Sequence, residues 1–194
     1  MERAFLAGLA GGSGGGKTFF CENLERALGT MQVKSFHMDE YFKPKEERPY
    51  TEAFITGKKY VDDNHPLTVD LDRLKRDLRD SLEKWEVILI EGLLTLWDPE
   101  LYEMLDLKLF VDCRADERIV RRLRRNMRRG LGFDEIADVY LDMVRYRHEE
   151  YVEPSKWRAD IILNGSNPSE TSLRLVAEFI QNHRNERIIR KNLP

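Results

Sequence analysis

The amino-acid sequence predicts one α/β domain, in which helices cover both faces of a five-stranded parallel sheet. Short apolar runs recur along the chain, and longer amphipathic segments separate them. A glycine-rich loop lies between the first apolar run and the first amphipathic segment. The 194 residues, 41% of them hydrophobic, are enough to fill a single hydrophobic core. We therefore treat residues 1–194 as a single domain.

The apolar runs predict buried strands because they lack the in-and-out alternation of a sheet with one solvated face. These strands are expected at residues 5–10, 33–38, 87–90, 107–111 and 161–163. The amphipathic segments predict helices over residues 17–28, 69–84, 115–129, 133–150 and 169–183. Residues 43–64 hold two prolines, a glycine and mixed charges without a steady period, which favours a functional loop or flexible flap.

The composition excludes several classes of protein. A formal charge of −3 argues against a nucleic-acid coat protein, which carries a large excess of Lys and Arg. Cys21 and Cys113 lie far apart without a Cys or His cluster, so neither a disulfide framework nor a zinc site is indicated. Glu91 and Gly92 interrupt the longest apolar run, which is too short to span a membrane. We expect a cytoplasmic domain without nucleic-acid or membrane partners, and a homo-oligomer stays open.

The glycine-rich loop matches the phosphate-binding pattern G-x-x-x-x-G-K-[ST] and lies between a predicted strand and a predicted helix. Its residues are Gly11, Gly12, Ser13, Gly14, Gly15, Gly16, Lys17 and Thr18. Glycines let backbone N–H groups turn toward phosphate oxygens, and the following helix contributes the positive end of its dipole. Lys17 is placed to reach the β and γ phosphates and Thr18 to bind Mg²⁺. The alternative is a flexible glycine turn, which the flanking strand and helix disfavour.

Two acids follow predicted strands at the edge where parallel sheets bind ligands. Asp39 follows the second apolar run and Glu91 the third. Phosphoryl transfer needs a carboxylate that orients and deprotonates the attacking hydroxyl, and acidic support for Mg²⁺. Asp39 suits the first role and Glu91 the second, although either could simply cap a helix. Helix capping is the interpretation we give to Asp112, and His37 is expected to be a satisfied core residue inside a strand.

Eight arginines lie between positions 114 and 129 of one predicted helix. Ile119, Leu123 and Met127 repeat every four residues and predict its apolar stripe. A second side of the helix is basic and could clamp phosphates as a lid, with the residues Arg118, Arg122, Arg125 and Arg129. A solvated face paired with acids, or a surface for nucleic acid, would have the same local sequence.

Six segments in order resemble the uridine kinase and phosphoribulokinase family of P-loop kinases. The phosphate loop is the first, and the others are Met38-Asp39-Glu40-Tyr41-Phe42, Asp63-Asn64-His65-Pro66, Ile90-Glu91-Gly92-Leu93-Leu94, Arg128-Arg129-Gly130 and a final segment of residues 154–162. The resemblance covers about four fifths of the chain. It implies a three-layer P-loop kinase fold with a helical lid, with the lid at about residues 114–133 and an acceptor-side flap at about 40–66. It also implies ATP and Mg²⁺ as co-substrates.

The resemblance further implies roles for individual residues. Asp39 matches the catalytic carboxylate and supports the metal, Thr18 and Glu91 lie on the magnesium side, and Lys17 and Arg125 assist transfer. Arg121 and Gly165 are expected beside the nucleotide, with Gly165 near the adenine. The expected acceptor-binding residues are Tyr41, Asp63, Asn64, His65 and Arg129.

Departures from the family concern the acceptor. Two residues differ from those usual in uridine kinases, which carry Tyr in place of Phe42 and Asp in place of Asn64. Their base-reading hairpin, which contains Pro-x-Tyr-Asp, has no counterpart before the strand that precedes Glu91. The segment from Asp39 to Pro44 is similar to nicotinamide riboside kinases. We expect a small metabolite acceptor, foremost a nucleoside such as uridine or cytidine. Nicotinamide riboside, pantothenate and sugars stay alternatives, as does a nucleotide-dependent switch, although no guanine-reading Asn-Lys-x-Asp element is present.

Overall fold

A computed structural model describes residues 3–53 and 55–191, with side chains as far as His183. The strands in chain order are β1 (Phe5–Gly11), β2 (Val33–His37), β3 (Tyr50–Glu52), β4 (Lys59–Val61), β5 (Val87–Glu91), β6 (Leu107–Asp112) and β7 (Ile161–Asn164). Five of them form a parallel sheet in the order β2-β5-β1-β6-β7, which confirms the predicted sheet. The prediction that all five are buried is wrong for the edge strands. Lys34 of β2 is exposed, and Ile161 and Ile162 of β7 are partly exposed, because edge strands receive less cover from the helices.

Helices cover both faces of this sheet. They are α1 (Lys17–Ala27), α2 (Leu71–Ser81), α3 (Pro99–Met104), α4 (Ala115–Met127), α5 (Phe133–Val139), α6 (Arg145–Arg147) and α7 (Glu170–Lys191). Side chains of β1 alternate between the two faces, so that Leu6 packs with α2 and α3 while Phe5 packs with α1 and α7. The short helix α3 was not predicted. Asp98 accepts a hydrogen bond from the Leu101 N–H at its start, a capping signal that six residues make easy to overlook.

The predicted helix over residues 133–150 has a less regular form. The π-helical turns Tyr140–Val144 and His148–Val152 flank α6, and a 3-10 segment follows at Glu153–Arg158. Such π turns often occur at functional sites because they redirect side chains. They follow α5 on the side of the sheet opposite α1 and α7, as the packing of Val152 shows.

The described part of residues 43–64 contains secondary structure that the sequence pattern does not predict. β3 and β4 pair antiparallel, with Tyr50 opposite Val61, and this segment also contains the 3-10 turn Lys45–Glu47. Strands of three residues are too short to give a recognisable period, which explains the difference. By contrast, residues 82–86 between α2 and β5 contain no strand. No helix in the described part of the chain is both long and apolar enough to cross a membrane.

Candidate active site

The phosphate loop connects β1 to α1 at the carboxyl edge of the sheet. Gly14 and Gly16 adopt φ values of 78° and 101°, in the left-handed region that favours glycine. A Cβ on Gly14 would lie 2.7 Å from the carbonyl oxygen of Arg118, and one on Gly12 would lie 2.3 Å from the Arg118 Nη1. The loop therefore needs glycine both for its turn and for its close contact with α4.

Lys17 begins α1 and lies beneath the loop. Its Nζ donates to the Gly12 carbonyl oxygen at 3.3 Å. Burial lowers the pKa of Lys17, and the nearby carboxylates of Glu91 and Asp39 counteract this shift. A buried ammonium without a directly bonded carboxylate is suited to receive an anion from solution.

Glu91, the last residue of β5, contacts Thr18 of α1 and His37 of the adjacent strand β2. In the register of β2 and β5, His37 lies opposite Glu91. The Thr18 hydroxyl donates to Glu91 Oε1 at 3.0 Å, and the same oxygen lies 3.0 Å from His37 Nδ1. The interpretation of His37 as a core residue is therefore wrong. It is the last residue of β2, is partly exposed, and contacts the carboxylate at the edge of the site.

Asp39 lies on the 3-10 turn Met38–Tyr41, directly after β2. Its side chain is exposed and lines a cavity of about 390 Å³ together with Lys17, Thr18 and Glu91. Two carboxylates, a hydroxyl and an ammonium thus converge on one space at the end of the sheet.

The arginine helix α4 turns a polar side toward the phosphate loop. Its buried residues are Arg118 and Asn126, with Arg122 between them and partly buried. Met127 of the predicted apolar stripe is 49% exposed, whereas Ile119 and Leu123 are half-buried, so the stripe is covered only in part. The burial of the arginines has its reason in the loop, because the Arg118 guanidinium packs against it and donates through Nε to the Cys113 carbonyl oxygen at 3.1 Å.

Two further arginines meet at Ser13. Arg122 Nη1 and Arg125 Nη2 donate to its hydroxyl oxygen at 3.1 and 3.0 Å. Burial lowers the pKa of Arg122, and the charge of Arg125 lowers it further. Burial lowers the pKa of Arg125 as well, with Arg129 as the next cause. The Nε of Arg122 is buried and has no hydrogen-bond partner among the described residues. Guanidinium groups collected in this way indicate a site for a polyanion.

The opposite side of the phosphate loop forms a second cavity, of about 400 Å³. Arg121 and Gly165 both line it, and Arg121 Nη1 donates to the Gly165 carbonyl oxygen at 2.9 Å. Pro168 and Phe19 add apolar surface. The structure thus brings the two residues expected beside the nucleotide into direct contact.

Three of the five expected acceptor residues line the main cavity, namely Asp63, Asn64 and Arg129. Asp63 also pairs with Arg48 at 2.9 Å. The other two lie elsewhere. Tyr41 is buried and donates to Asp77 Oδ2 at 2.9 Å, and burial with this hydrogen bond raises the pKa of Tyr41 to about 12.

His65 does not line the cavity. Its Nδ1 accepts a hydrogen bond from the Leu67 N–H at 3.1 Å at the start of a 3-10 turn. Its ring meets the Tyr151 ring edge to face at a centroid distance of 5.6 Å. The structure gives this histidine a capping and packing role beside the acceptor-side loop.

Asp112 does not cap α4, contrary to the sequence interpretation. Its carboxylate accepts a hydrogen bond from Lys156 Nζ at 2.6 Å. Arg114 occupies the cap position of α4 without a side-chain hydrogen bond. The strand end thus carries an ion pair, in which the partner follows more than forty residues later in the chain.

Other functional candidates escaped sequence reasoning. Asp62, rather than Asp63, is the fully buried acid, and it accepts hydrogen bonds from Thr51 at 2.6 Å and Arg147 at 2.7 Å. His148 packs beside the phosphate loop, with Nε2 3.1 Å from Glu153 Oε2. Burial and the neighbouring Arg118 lower the pKa of His148 to about 4.

The residues present fit a nucleotide with Mg²⁺. The cradle of glycine N–H groups, the buried Lys17 and the unpartnered Nε of Arg122 all suit phosphate oxygens. Thr18 and Glu91 supply hard oxygen ligands side by side, and Mg²⁺ is usually held by one or two such groups together with phosphates. No group of three or more His, Cys, Asp or Glu side chains in the described residues could hold a metal by itself.

Solved structures share this fold. A candidate fructose transport system kinase from Silicibacter sp. TM1040 aligns with a TM-score of 0.65 at 17% identity, over 84% of this chain and 90% of that chain. Shikimate kinase from Bacteroides thetaiotaomicron aligns with a TM-score of 0.54 at 19% identity, over 92% and 97%. At these identities the likeness concerns the fold alone.

Proteins of similar sequence identify the family as well as the fold. The pattern of the Phosphoribulokinase / Uridine kinase family matches residues 55–172. Uridine kinase from Oceanobacillus iheyensis is 30% identical over 93% of this chain and 95% of that protein. Uridine kinase from Bacillus subtilis is 31% identical over 91% and 93%. Since the family pattern covers more than half the chain and the similarity extends over nearly all of it, the protein is a small-molecule kinase and belongs to the phosphoribulokinase/uridine kinase family.

Proposed function

We propose that the protein transfers the γ-phosphoryl group of ATP to a hydroxyl of a nucleoside such as uridine or cytidine, with Mg²⁺. The observation that carries this proposal is the convergence of Asp39, Lys17 and the Thr18–Glu91 pair on one cavity. The names of the relatives support a nucleoside as the acceptor.

Each end of the cavity has a separate task. The loop N–H groups, Lys17 and Arg125 hold the phosphate oxygens, and the arginine neutralises charge that develops during transfer. Thr18 and Glu91 would hold Mg²⁺, with Asp39 in support. When bound, the metal neutralises phosphate charge. Arg121 and Gly165 in the second cavity would contact the nucleotide on its adenosine side.

Asp39 is the general base. It accepts the proton of the attacking hydroxyl while that oxygen bonds to the γ-phosphorus, and the bond from phosphorus to the β,γ-bridging oxygen breaks with its electron pair leaving on ADP. Asp63, Asn64 and Arg129 orient the acceptor, because they line the same cavity.

An ADP-release screen tests the proposal, with ATP and Mg²⁺ and each of uridine, cytidine, nicotinamide riboside, pantothenate and simple sugars. We expect ADP that depends on a nucleoside and on Mg²⁺. The lack of a strand at residues 82–86 is the reason to include the other acceptors. Slow hydrolysis that no acceptor accelerates would contradict the proposal and favour a nucleotide-dependent switch.

A further inference from the structure

The short hairpin of β3 and β4 is attached to the helical segment that follows the lid. Arg147 donates to Asp62 Oδ2 at 2.7 Å and to the Thr51 hydroxyl at 2.9 Å. At a second point of the hairpin, the hydroxyls of Thr56 and Tyr60 both donate to Asp142 Oδ2, at 2.6 and 3.1 Å. These two sets of hydrogen bonds, one to Arg147 and one to Asp142, hold the hairpin against the helical segment at two separate points.

Asp142 lies on the π-helical turn Tyr140–Val144 and is 4% exposed. The extra residue of a π turn changes the direction in which side chains leave a helix. Here the buried carboxylate is satisfied by two hydroxyls of the hairpin. The hydrogen bond from Tyr60 holds its ring in one orientation. If the phenol group moved away, the buried carboxylate of Asp142 would lose one of its two hydrogen-bond donors, which is unfavourable.

Tyr60 lines the main cavity, and four apolar side chains line the same cavity. Val61 continues β4, Ile136 and Val139 come from α5, and Leu131 from the loop before α5. These four side chains offer apolar surface without hydrogen-bonding groups, and the polar side chains of Asn126 and Glu135 line the cavity beside them. Any part of an acceptor placed against them is contacted through its faces and its apolar edges.

We propose that Tyr60, held by Asp142, is a specificity-determining residue, and that this wall contacts the planar base of a riboside. The inference rests on the proposed function and specifies how the same cavity reads its acceptor. The sugar hydroxyl lies toward Asp39, and the base lies against Tyr60, Val61 and Val139. The hairpin therefore takes the place of an acceptor-reading element between α2 and β5, where residues 82–86 form no strand.

The chemistry of this wall sets its selectivity. An apolar pocket distinguishes ligands that differ by one small group by roughly 10–200-fold, whereas a pocket that hydrogen-bonds a base edge reaches about 10⁴-fold or more. Uridine and cytidine, which differ at one exocyclic group, are therefore expected to have kcat/KM values within about 200-fold of each other. D-ribose lacks a base and is expected to be the poorer acceptor.

Two tyrosines of the hairpin give a matched pair of variants. Tyr60 lines the cavity, whereas Tyr50, on the other strand, is 64% exposed and does not. We expect Tyr60→Ala to lower kcat/KM for the best riboside by about 10–100-fold, mainly through KM. For D-ribose, and for the KM of ATP, the expected change is below about threefold. Tyr50→Ala is expected to change none of these values.

The test compares kcat/KM of the wild type and both variants for uridine, cytidine, nicotinamide riboside and D-ribose. A loss in Tyr60→Ala that is confined to the ribosides supports the inference. An equal loss for D-ribose and the ribosides overturns it, as does no loss at all. If Tyr60→Ala does not fold, Tyr60→Leu keeps the wall apolar without the ring, and the same comparison applies. Wild-type protein that phosphorylates pantothenate or a sugar but no riboside overturns this inference together with the nucleoside acceptor of the proposed function, whereas riboside turnover that Tyr60→Ala leaves unchanged overturns this inference alone. Absence of any acceptor-dependent ADP overturns the proposed function as well.

Discussion

Arg122→Met should make the protein without nucleotide more stable and far less active. Arg122 Nη1 and Arg125 Nη2 share Ser13, so the two nitrogens are no more than about 6 Å apart. Two unit charges at that separation repel by about 3 kcal/mol at an effective dielectric constant of 20. Delocalised charge, solvent and nearby acids reduce this repulsion to about 1 kcal/mol.

Two other contributions to the stability of the variant act in opposite directions. The unpartnered, buried Nε of Arg122 costs about 1–3 kcal/mol, while losing the hydrogen bond to Ser13 costs the variant about 1 kcal/mol. Met keeps most of the aliphatic stem. The net expectation is a gain in the free energy of unfolding of about 1–3 kcal/mol, or a rise in Tm of about 2–12 °C. The loss in kcat/KM for ATP is expected to be about 10²–10³-fold if the unpartnered guanidinium of Arg122 binds phosphate oxygens, as we propose for this site.

Thermal unfolding without nucleotide and steady-state kinetics measure the two effects. Arg124→Met is the matched control, since Arg124 lies on the same helix, is exposed and does not line the cavity. A lower Tm for Arg122→Met than for the wild type would mean that Arg122 stabilises the fold, and would contradict the view that its charge is kept there to bind an anion. Unchanged kcat/KM would refute its role in binding phosphate.

The remaining predictions concern stability. Because the pKa of His148 is about 4 in the folded protein and ordinarily about 6.5, the unfolded chain binds more protons below pH 6.5, and stability falls as the pH falls toward 4. From pH 7 to pH 5 the wild type should lose up to about 2 kcal/mol more than His148→Phe, measured by denaturant unfolding, and equal slopes would contradict this. Gly165→Ala places a Cβ 2.4 Å from the Gly15 carbonyl oxygen and should lower the stability by about 1–3 kcal/mol, and an unchanged Tm would argue against that contact. Asp62→Asn and Arg147→Met each break a largely buried ion pair and should each cost about 3–5 kcal/mol, with the double variant costing clearly less than their sum. Strict additivity in chemical denaturation would show that the pair is not coupled.

The sheet and the phosphate loop were predictable from sequence because their signals are local. The run before Gly11 is apolar without interruption, and the glycines that follow match a pattern with a known physical cause. The positions of Asp39 and Glu91 followed from one general property, namely that parallel strands end at the same edge of the sheet. The structure brings both to one cavity with Lys17.

Features that depend on distant partners were not predictable. Periodicity predicts an apolar stripe on α4, but it does not show that Arg122 bonds to a phosphate loop more than one hundred residues earlier in the chain. The hairpin has strands of three residues, and its contacts with Asp142 and Arg147 span more than eighty residues. The contact of His37 with Glu91 is not visible in sequence, because Glu91 belongs to a neighbouring strand more than fifty residues later.

The most direct test of the central claim is the acceptor-dependent turnover of Asp39→Asn. Asp39 is exposed, so the substitution is expected to change stability by no more than about 0.5 kcal/mol. The loss of a general base should lower kcat by about 10²–10⁴-fold with the best acceptor, while the affinity for ATP is retained. Full turnover in this variant would contradict the assignment of Asp39 as the base that activates the acceptor hydroxyl.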